Sequence, residues 1–374
     1  MVEIRKVLTR ADRKEFVEFP LRLYKDNPNF VPPLYGDEMK CFTDKNVYRN
    51  TCDDAFFLAV RDGQTVGRIQ GIIQRQFNEI HNEKRVRFTR FDAIDDREVA
   101  HELFKSVEAW GREQGMNVCC GPLGYSDLER EGLLISGFDE LNTFEEQYNY
   151  PYYQSLIEGE GYAKEVDWLE YKLYPPKVVN PMIKQVARRA LEMNRLHVVD
   201  PAQYSKRAYI AKYKDGIFDC LDECYAKLYG TVPFTEEMKK QLIDQFLLIV
   251  NKQFLVIVCD ENEKVVAFGL CLPSISRAVQ KSGGRLTPGC LIRLMKALKD
   301  PKILDLALVA VLPEYQARGV NAVMIDGQLS MYENTSVEYC ETNLNLEDNL
   351  AVQAQWKYFR AVQHKRRRSF CKTI

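Results

Sequence analysis

Two stretches of the chain set β-branched apolar runs around a short polar break in the same way. The first is Phe56 to Ile73, FFLAVRDGQTVGRIQGII; the second is Gln253 to Leu272, QFLVIVCDENEKVVAFGLCL. Each has an apolar run, a polar turn (Asp62-Gly63 in one, Asp260 to Glu263 in the other) and a second run carrying a glycine. That pattern predicts a β-hairpin. The segments after the two hairpins are alike as well. In the first half the strand pattern RVRFTRFDAI precedes REVAHELFKSVEAWGREQG, where Val99, Leu103, Val107 and Trp110 make one apolar stripe at helical spacing. In the second half ILDLALVAV precedes a helix from Gly319, with Val320, Val323, Met324 and Met331 as its stripe. A further strand comes next in each half, NVCCGPL and SVEYCETNL. An aromatic-rich helix and a last β-like run then close each, YAKEVDWLEYKL and KRRRSF.

The order in each half is helices, hairpin, strand, helix, strand, helix, strand. It predicts an α/β fold with a mixed, largely antiparallel sheet flanked by helices, present twice in tandem. The seam is expected at Tyr174-Pro175-Pro176-Lys177, where Pro-Pro ends a strand run, giving domains 1–175 and 176–374. The second half opens with three helical patterns. They are Lys184 to Asn194, Arg207 to Tyr229 with Gly230 as its stop, and one capped by Thr235 that runs to about Val250.

Composition then narrows the class. The 374 residues, 46% hydrophobic and 28% charged, suit a soluble globular chain with ample cores and exclude a disordered or collagen-like one. Lys plus Arg is 52 against Asp plus Glu 53, so a general nucleic-acid binder is not expected, and no DNA partner is. The opening MVEIRKVLTRADRKEF has no apolar run, and the most apolar stretch, Phe246 to Asp260, is broken by Asn251, Lys252 and Gln253. No secretory signal, no spanning segment and no membrane partner are expected, and the localisation expected is cytoplasmic. The 11 cysteines contain no CxxC, and the four histidines are scattered, so free thiols and no metal site are expected. Cys220 and Cys224, four apart on a helical pattern, are expected in the core.

The segment from Leu312 to Ala322, LPEYQARGVNA, lies between a buried strand and a helix. A helix N-terminus there leaves backbone N–H groups free and points a positive dipole end at the loop, which suits a diphosphate. Gly319 lets the backbone approach a ligand, and Arg318 adds a charge-assisted contact. At this point the sequence resembles the GNAT superfamily of acyl-CoA N-acyltransferases. Their coenzyme A diphosphate loop reads Gln/Arg-x-x-Gly-x-Gly/Ala, and this chain has Gln316-x-x-Gly319-x-Asn321, with Asn in the last place. The resemblance implies a coenzyme site at Gln316, Ala317, Arg318, Gly319, Val320 and Asn321, with acetyl-CoA or another acyl-CoA as donor. It covers both halves in element order but only the second in the loop. The matching stretch of the first half, Phe91 to Ala100, has no glycine and three aspartates, which would repel a diphosphate. The chain is also similar to tandem GNAT-like bacterial proteins of undefined acceptor, on Phe19-Pro20-Leu21, Asn29 to Leu34, Val66 to Ile69, Gly132-Leu133-Leu134 and Gly137-Phe138.

Acyl transfer to an amine needs a base, a polarised carbonyl and a proton for the departing thiolate. The resemblance implies that a backbone N–H near Ala310 or Val311 polarises the carbonyl. Glu341 is the candidate base, on a strand face with Val337, Tyr339 and Asn343; a solvated or paired carboxylate is the alternative. Glu314 in the loop is a second candidate. The resemblance also implies a tyrosine acid seven residues after an Asn on the fourth helix. Asn349 is present and position 356 is Trp, so Tyr358 would serve only from a slipped helix. The run His364-Lys365-Arg366-Arg367-Arg368 is expected as a solvated, charged edge strand, or else as a grip on the coenzyme 3′-phosphate or an anionic acceptor. The long stretch from Pro122 to Tyr150 carries Asp127, Glu129, Glu131, Asp139, Glu140, Glu145 and Glu146 against one base, Arg130. It is expected as a lid with an acidic rim for an amine, or as interdomain packing. The leading reading is an acyl-CoA-dependent N-acyltransferase, most simply an N-acetyltransferase, acting on a small-molecule or peptide amine. A non-catalytic coenzyme or metabolite-binding protein of the same fold is second. An aminoacyl transferase using charged tRNA, supported only by the KRRR run, is third. Acceptor and oligomeric state stay open.

Overall fold

The computed structural model describes residues 1–144 and 146–374, with Phe246 as backbone alone; Glu145, one of the acidic positions of the long stretch, lies outside the described residues. The first half opens on β1 (Glu3–Lys6), α1 (Arg10–Leu23) and α2 (Tyr35–Lys40), then forms the expected hairpin from β2 (Cys52–Arg61) and β3 (Gln64–Gln74). Asp62 and Gly63 both take positive φ, 52° and 75°, the twist that joins antiparallel strands through two residues. Next come α3 (Arg75–His81), β4 (Arg85–Ala93), α4 (Arg97–Glu113) and β5 (Val118–Gly121). The Asp96 carboxylate caps α4 by accepting from the amides of Glu98 and Val99. The stripe Val99, Leu103, Val107 is buried in the core, with Trp110 packed against it. The half ends with β6 (Leu133–Ser136), α5 (Tyr153–Gly159) and β7 (Ala163–Tyr174).

The second half begins with α6 (Pro181–Asn194), β8 (His197–Val198), α7 (Lys206–Tyr225) and α8 (Glu236–Phe246). Thr235 caps α8 as expected, while α7 stops at Tyr225, short of the predicted Tyr229. Cys220 is buried and Cys224 half-buried; all eleven thiols are unbridged. The second hairpin is β9 (Leu255–Cys259) and β10 (Val265–Pro273). Two helices, α9 (Ser276–Gln280) and α10 (Pro288–Lys299), precede β11 (Ile303–Val311) and α11 (Val320–Glu333). The chain closes with β12 (Tyr339–Thr342), β13 (Asn345–Leu346), the single turn α12 (Leu350–Gln353), a 3-10 turn (Ala354–Tyr358) and β14 (Arg360–Thr373). The expected fourth helix is therefore a short, broken one. The Trp356 indole N–H donates to Asn345 Oδ1 at 3.1 Å, and with Phe359 it enters the core, which tightens the backbone there.

Among the described residues one sheet of 14 strands runs through both halves, in the order β1-β2-β3-β4-β5-β14-β7-β12-β11-β10-β9-β8. The pairs β4–β5 and β11–β12 are parallel and the rest antiparallel. The last strand of each half reaches into the sheet of the other: β14 lies between β5 and β7, and β7 between β14 and β12. The halves are interleaved, and the Pro175-Pro176 seam comes directly after β7.

This topology corrects the reading of the basic run. Residues 364–368 lie in a central strand, not at an edge, and the Lys365 and Arg367 side chains have no exposure at all. A buried strand tolerates four consecutive cations because its neighbour supplies the counter-charges in register. Lys365 pairs opposite Glu170, and Arg368 opposite Asp167.

Candidate functional site

The centre of the sheet holds a buried ionic cluster. On one face Arg367 Nε donates to Glu170 Oε1 at 2.6 Å, and Lys365 Nζ lies 3.4 Å from Glu170 Oε2. Lys365 Nζ also donates to Glu341 Oε1 at 2.9 Å. On the other face Arg366 and Arg368 share Asp167, at 2.6 and 2.7 Å. Burial alone would raise the Glu170 carboxyl; the Arg367 and Lys365 charges outweigh it and hold the pKa at about 2. Burial pulls Lys365 down, but Glu170 and Glu341 more than offset it and keep the ammonium charged. His364 has the opposite balance. Burial first, then the Lys365 charge, lowers it to about 3, so its imidazole is neutral at ordinary pH. Its Nε2 sits 3.3 Å from Glu341 Oε1, in contact but off hydrogen-bond alignment. Glu341 is thus a paired, largely buried carboxylate between a charged lysine and a neutral histidine. Sequence reasoning missed His364 and Glu170 as members of this group. The signal was present: Asp167 and Glu170 in DWLEYKL stand three apart, so a strand turns them to opposite faces, and the consecutive cations of HKRRRSF offer a partner on each face.

The stretch from Pro122 to Tyr150 covers the face carrying Lys365 and Arg367. Asn142 Oδ1 accepts from Arg367 at 2.9 Å, Thr143 Oγ1 accepts from Lys365 at 3.2 Å, and the Gln147 carbonyl also accepts from Arg367. Glu131 and Glu146 are buried with Leu133 and Leu134, and Leu128 packs on the core of the second half. Among the described residues the expected acidic rim is reduced: Glu131 and Glu146 turn inward, Glu140 pairs with Lys172, and Asp139 is exposed; the stretch packs as a layer between the halves.

The loop before α11 keeps the expected form. Gly319 is the N-cap with φ 82°, and no side chain caps the helix. Helix geometry leaves the amides of Val320 and Asn321 without an intrahelical acceptor. Gln316 Nε2 donates to the Val311 carbonyl at 2.9 Å, which ties the loop to the end of β11. Ala317 takes φ 58°, and Arg318 is exposed beside the Tyr315 ring. A Cβ on Gly319 would stand 3.2 Å from Ala190 of α6, so the glycine also serves the close approach of that helix. Glu314 points away, toward Lys264 at 3.5 Å.

Pairing of β11 with β12 runs only from Ile303–Tyr339 to Leu306–Thr342, although β11 continues to Val311. Ala310 and Val311 are buried and pair with β10 alone, opposite Phe268 and Ala267. The strands part beyond Leu306 and form a wedge whose mouth is the loop at Gly319. Between β11, α11 and the 3-10 turn lies an apolar slot lined by Leu306, Val309, Met324, Gln328 and Trp356, with a cavity of about 20 Å³. The loop chemistry fits a diphosphate. A slot this narrow holds a pantetheine arm only after Trp356 or Met324 moves.

Tyr358 is not brought to Glu341. It lines an open hollow of about 560 Å³ with Pro176, Asn180 and Phe359, beneath Lys357. Asn349 caps the turn α12 by accepting from the Val352 amide. In the first half the end of β4 is filled. Tyr152 donates to the Ala93 carbonyl at 2.7 Å, and the Ala93 amide donates to Tyr153 at 3.0 Å. Among the described residues of that half, these two tyrosines occupy the place corresponding to the Gly319 loop.

No family model matches the chain. Its structure aligns over its whole length with a tandem GNAT protein from the clavulanic acid biosynthesis pathway, at TM-score 0.56, 10% identity and 98% of that chain. It aligns likewise with a GCN5-related N-acetyltransferase from Sphaerobacter thermophilus, at TM-score 0.50, 10% identity and 95% of that chain. By sequence it is 26% identical to protein YghO of Escherichia coli K12, over 99% of this chain and 95% of the relative. It is 27% identical to a bacterial ceramide synthase of Caulobacter vibrioides, over 78% of this chain and 75% of the relative. The fold is the tandem GNAT fold.

Proposed function

We propose that the chain is a cytoplasmic, acyl-CoA-dependent N-acyltransferase whose donor site lies in the second half. The observation that carries this reading is the uncapped αL glycine, Gly319, at the mouth of the β11–β12 wedge. Free amides and a helix dipole meet there, and the loop's own carboxylate, Glu314, is turned toward Lys264. The amine nitrogen attacks the thioester carbonyl, the C–S bond breaks, and the thiolate leaves. The Ala310 or Val311 backbone N–H is the candidate carbonyl donor. Glu341, held by Lys365, is the candidate acceptor of the amine proton. The acid is unassigned, since Tyr358 faces another hollow. The likeness to a ceramide synthase supports a long-chain amine as the first acceptor to test, ahead of peptide amines.

Calorimetry with acetyl-CoA, longer acyl-CoAs and free coenzyme A tests the site. Arg318→Glu, which alters only an exposed side chain, is expected to weaken coenzyme binding about tenfold. Absence of binding to every one of these ligands would refute the reading. The narrow slot and the Trp356 plug favour a second reading, a coenzyme-binding protein without turnover. Binding without thiol release across an amine panel would select it. The charged-tRNA reading loses its support, because the KRRR side chains are buried or paired within the sheet.

A further inference from the structure

The segment between β10 and β11 is unlike the rest of the surface. From Ser276 to Lys302 it carries seven Lys or Arg and a single carboxylate, Asp300, in a chain whose charges balance only as a whole, at 52 Lys or Arg against 53 Asp or Glu. Its base is fixed on the first half. The Tyr35 amide donates to the Gly284 carbonyl at 2.9 Å, and Gln280 Nε2 donates to the Pro28 and Phe30 carbonyls at 2.8 and 3.0 Å. Arg285 lies 4.2 Å over the Tyr35 ring and pairs with Glu18 at 2.9 Å.

Helix α10 stands outside this anchor. Its inner face packs mainly on α9, where the Cys290 thiol and the Arg293 guanidinium both point at the Ala278 carbonyl. Its outer face is apolar: Leu291, Ile292 and Met295 are 46, 64 and 63% exposed, and Leu286 just before the helix is 53% exposed. Helical spacing puts these three on one side, with Lys299 among them and Lys296 beside them. Lys281, Lys296 and Lys299 are exposed and take part in no ion pair among the described residues. A solvated helix would carry polar groups outward, and clustered exposed apolar side chains mark an interaction face. A second copy would set these cations against one another. An apolar ridge among unpaired lysines matches an anionic lipid interface, with the apolar side chains among the acyl chains and the ammonium groups at the phosphates.

We propose that α10 and the loop before it dock the protein onto anionic membrane surfaces, with the helix lying in the interface. No helix among the described residues is long and apolar enough to cross a membrane, so the contact is peripheral. This departs from the sequence expectation of no membrane partner and is independent of the acyltransferase reading.

The test is cosedimentation of the full chain with vesicles of phosphatidylcholine alone or mixed with phosphatidylglycerol. Binding is expected to the mixed vesicles only, falling as salt rises. The double variant Lys296→Ala/Lys299→Ala should bind about 30-fold more weakly. Ile292→Glu/Met295→Glu should abolish binding with an unchanged melting temperature. If that variant melts early, amide exchange of the wild-type chain decides: vesicles should protect residues 286–299. Each of four results would overturn the proposal: no binding to anionic vesicles, equal binding to both kinds, wild-type binding by a double variant, or protection elsewhere. A dimer that Ile292→Glu/Met295→Glu dissolves, without vesicle binding, would assign the face to a second copy and overturn it too.

Discussion

Replacing Glu170 by Gln tests whether the central ionic cluster holds the two interleaved halves together. The side chain keeps its shape and loses its charge. Two buried cations then lack a partner at 2.6 and 3.4 Å. Both keep other contacts: Lys365 retains Glu341 at 2.9 Å, and Arg367 retains Asn142 at 2.9 Å. The expected cost therefore falls at the lower end of the range for breaking a buried pair, about 3 kcal/mol. The lowered carboxyl pKa, set by the same Arg367 and Lys365 charges, is in line with that figure. A carboxyl carried from its ordinary 4.5 down to about 2 by folding contributes about 3 kcal/mol above the higher value. The sign comes from the lowered pKa: the contribution is complete above 4.5 and is lost as pH falls toward about 2. Urea unfolding at neutral pH should show Glu170→Gln less stable by about 3 kcal/mol, which lowers Tm by roughly 4 °C in a 374-residue chain that melts as one unit. Near pH 3 the gap between the two proteins should shrink to less than half its neutral-pH value. A gap under about 1 kcal/mol at neutral pH, or one that does not change with pH, would refute the reasoning.

The same geometry has other consequences. His364 is held neutral to about 3, while its unfolded form takes up a proton near 6.5, so it lowers stability by about 1.4 kcal/mol for each pH unit below 6.5. His364→Gln should flatten the fall in stability between pH 7 and 5 by about 2 kcal/mol in urea titrations. Arg366→Ala, on the half-exposed side of the cluster, should cost only about 1 kcal/mol or less in the same assay. Gly319→Ala should cost about 1–2 kcal/mol, because a side chain is strained at φ 82° and meets Ala190 at 3.2 Å. Fragments 1–175 and 176–374 expressed separately should each fail to melt cooperatively, and co-expression should recover a soluble pair. A cooperative melt by either fragment alone would contradict the exchange of β7 and β14.

How much of the fold and the site was legible in the sequence depends on the range of the forces involved. The hairpins, the capped helices and the Gly319 loop are set by neighbours in the chain, and turn residues, caps and apolar stripes announce them. The partner of KRRRSF lies about two hundred residues upstream, beyond reach of any local pattern, so solvation was the natural expectation for four cations in a row. What decides the matter is complementarity between two distant strands. Asp167 and Glu170 face opposite sides of β7, as Arg366 and Arg367 do on β14, and each face is neutralised only in the observed register. A shift by one residue would bury Lys365 and Arg367 against Asp167 on the wrong face, at a cost no local propensity could offset. The same placement pairs the basic run with Asp167 and Glu170 and brings Lys365 to Glu341. The exchange that joins the halves thereby supplies the candidate base of the second half with its partner. A change that loosens β14 should reach the candidate base before it reaches the Gly319 loop, which is held by β11, α6 and the β9–β10 hairpin.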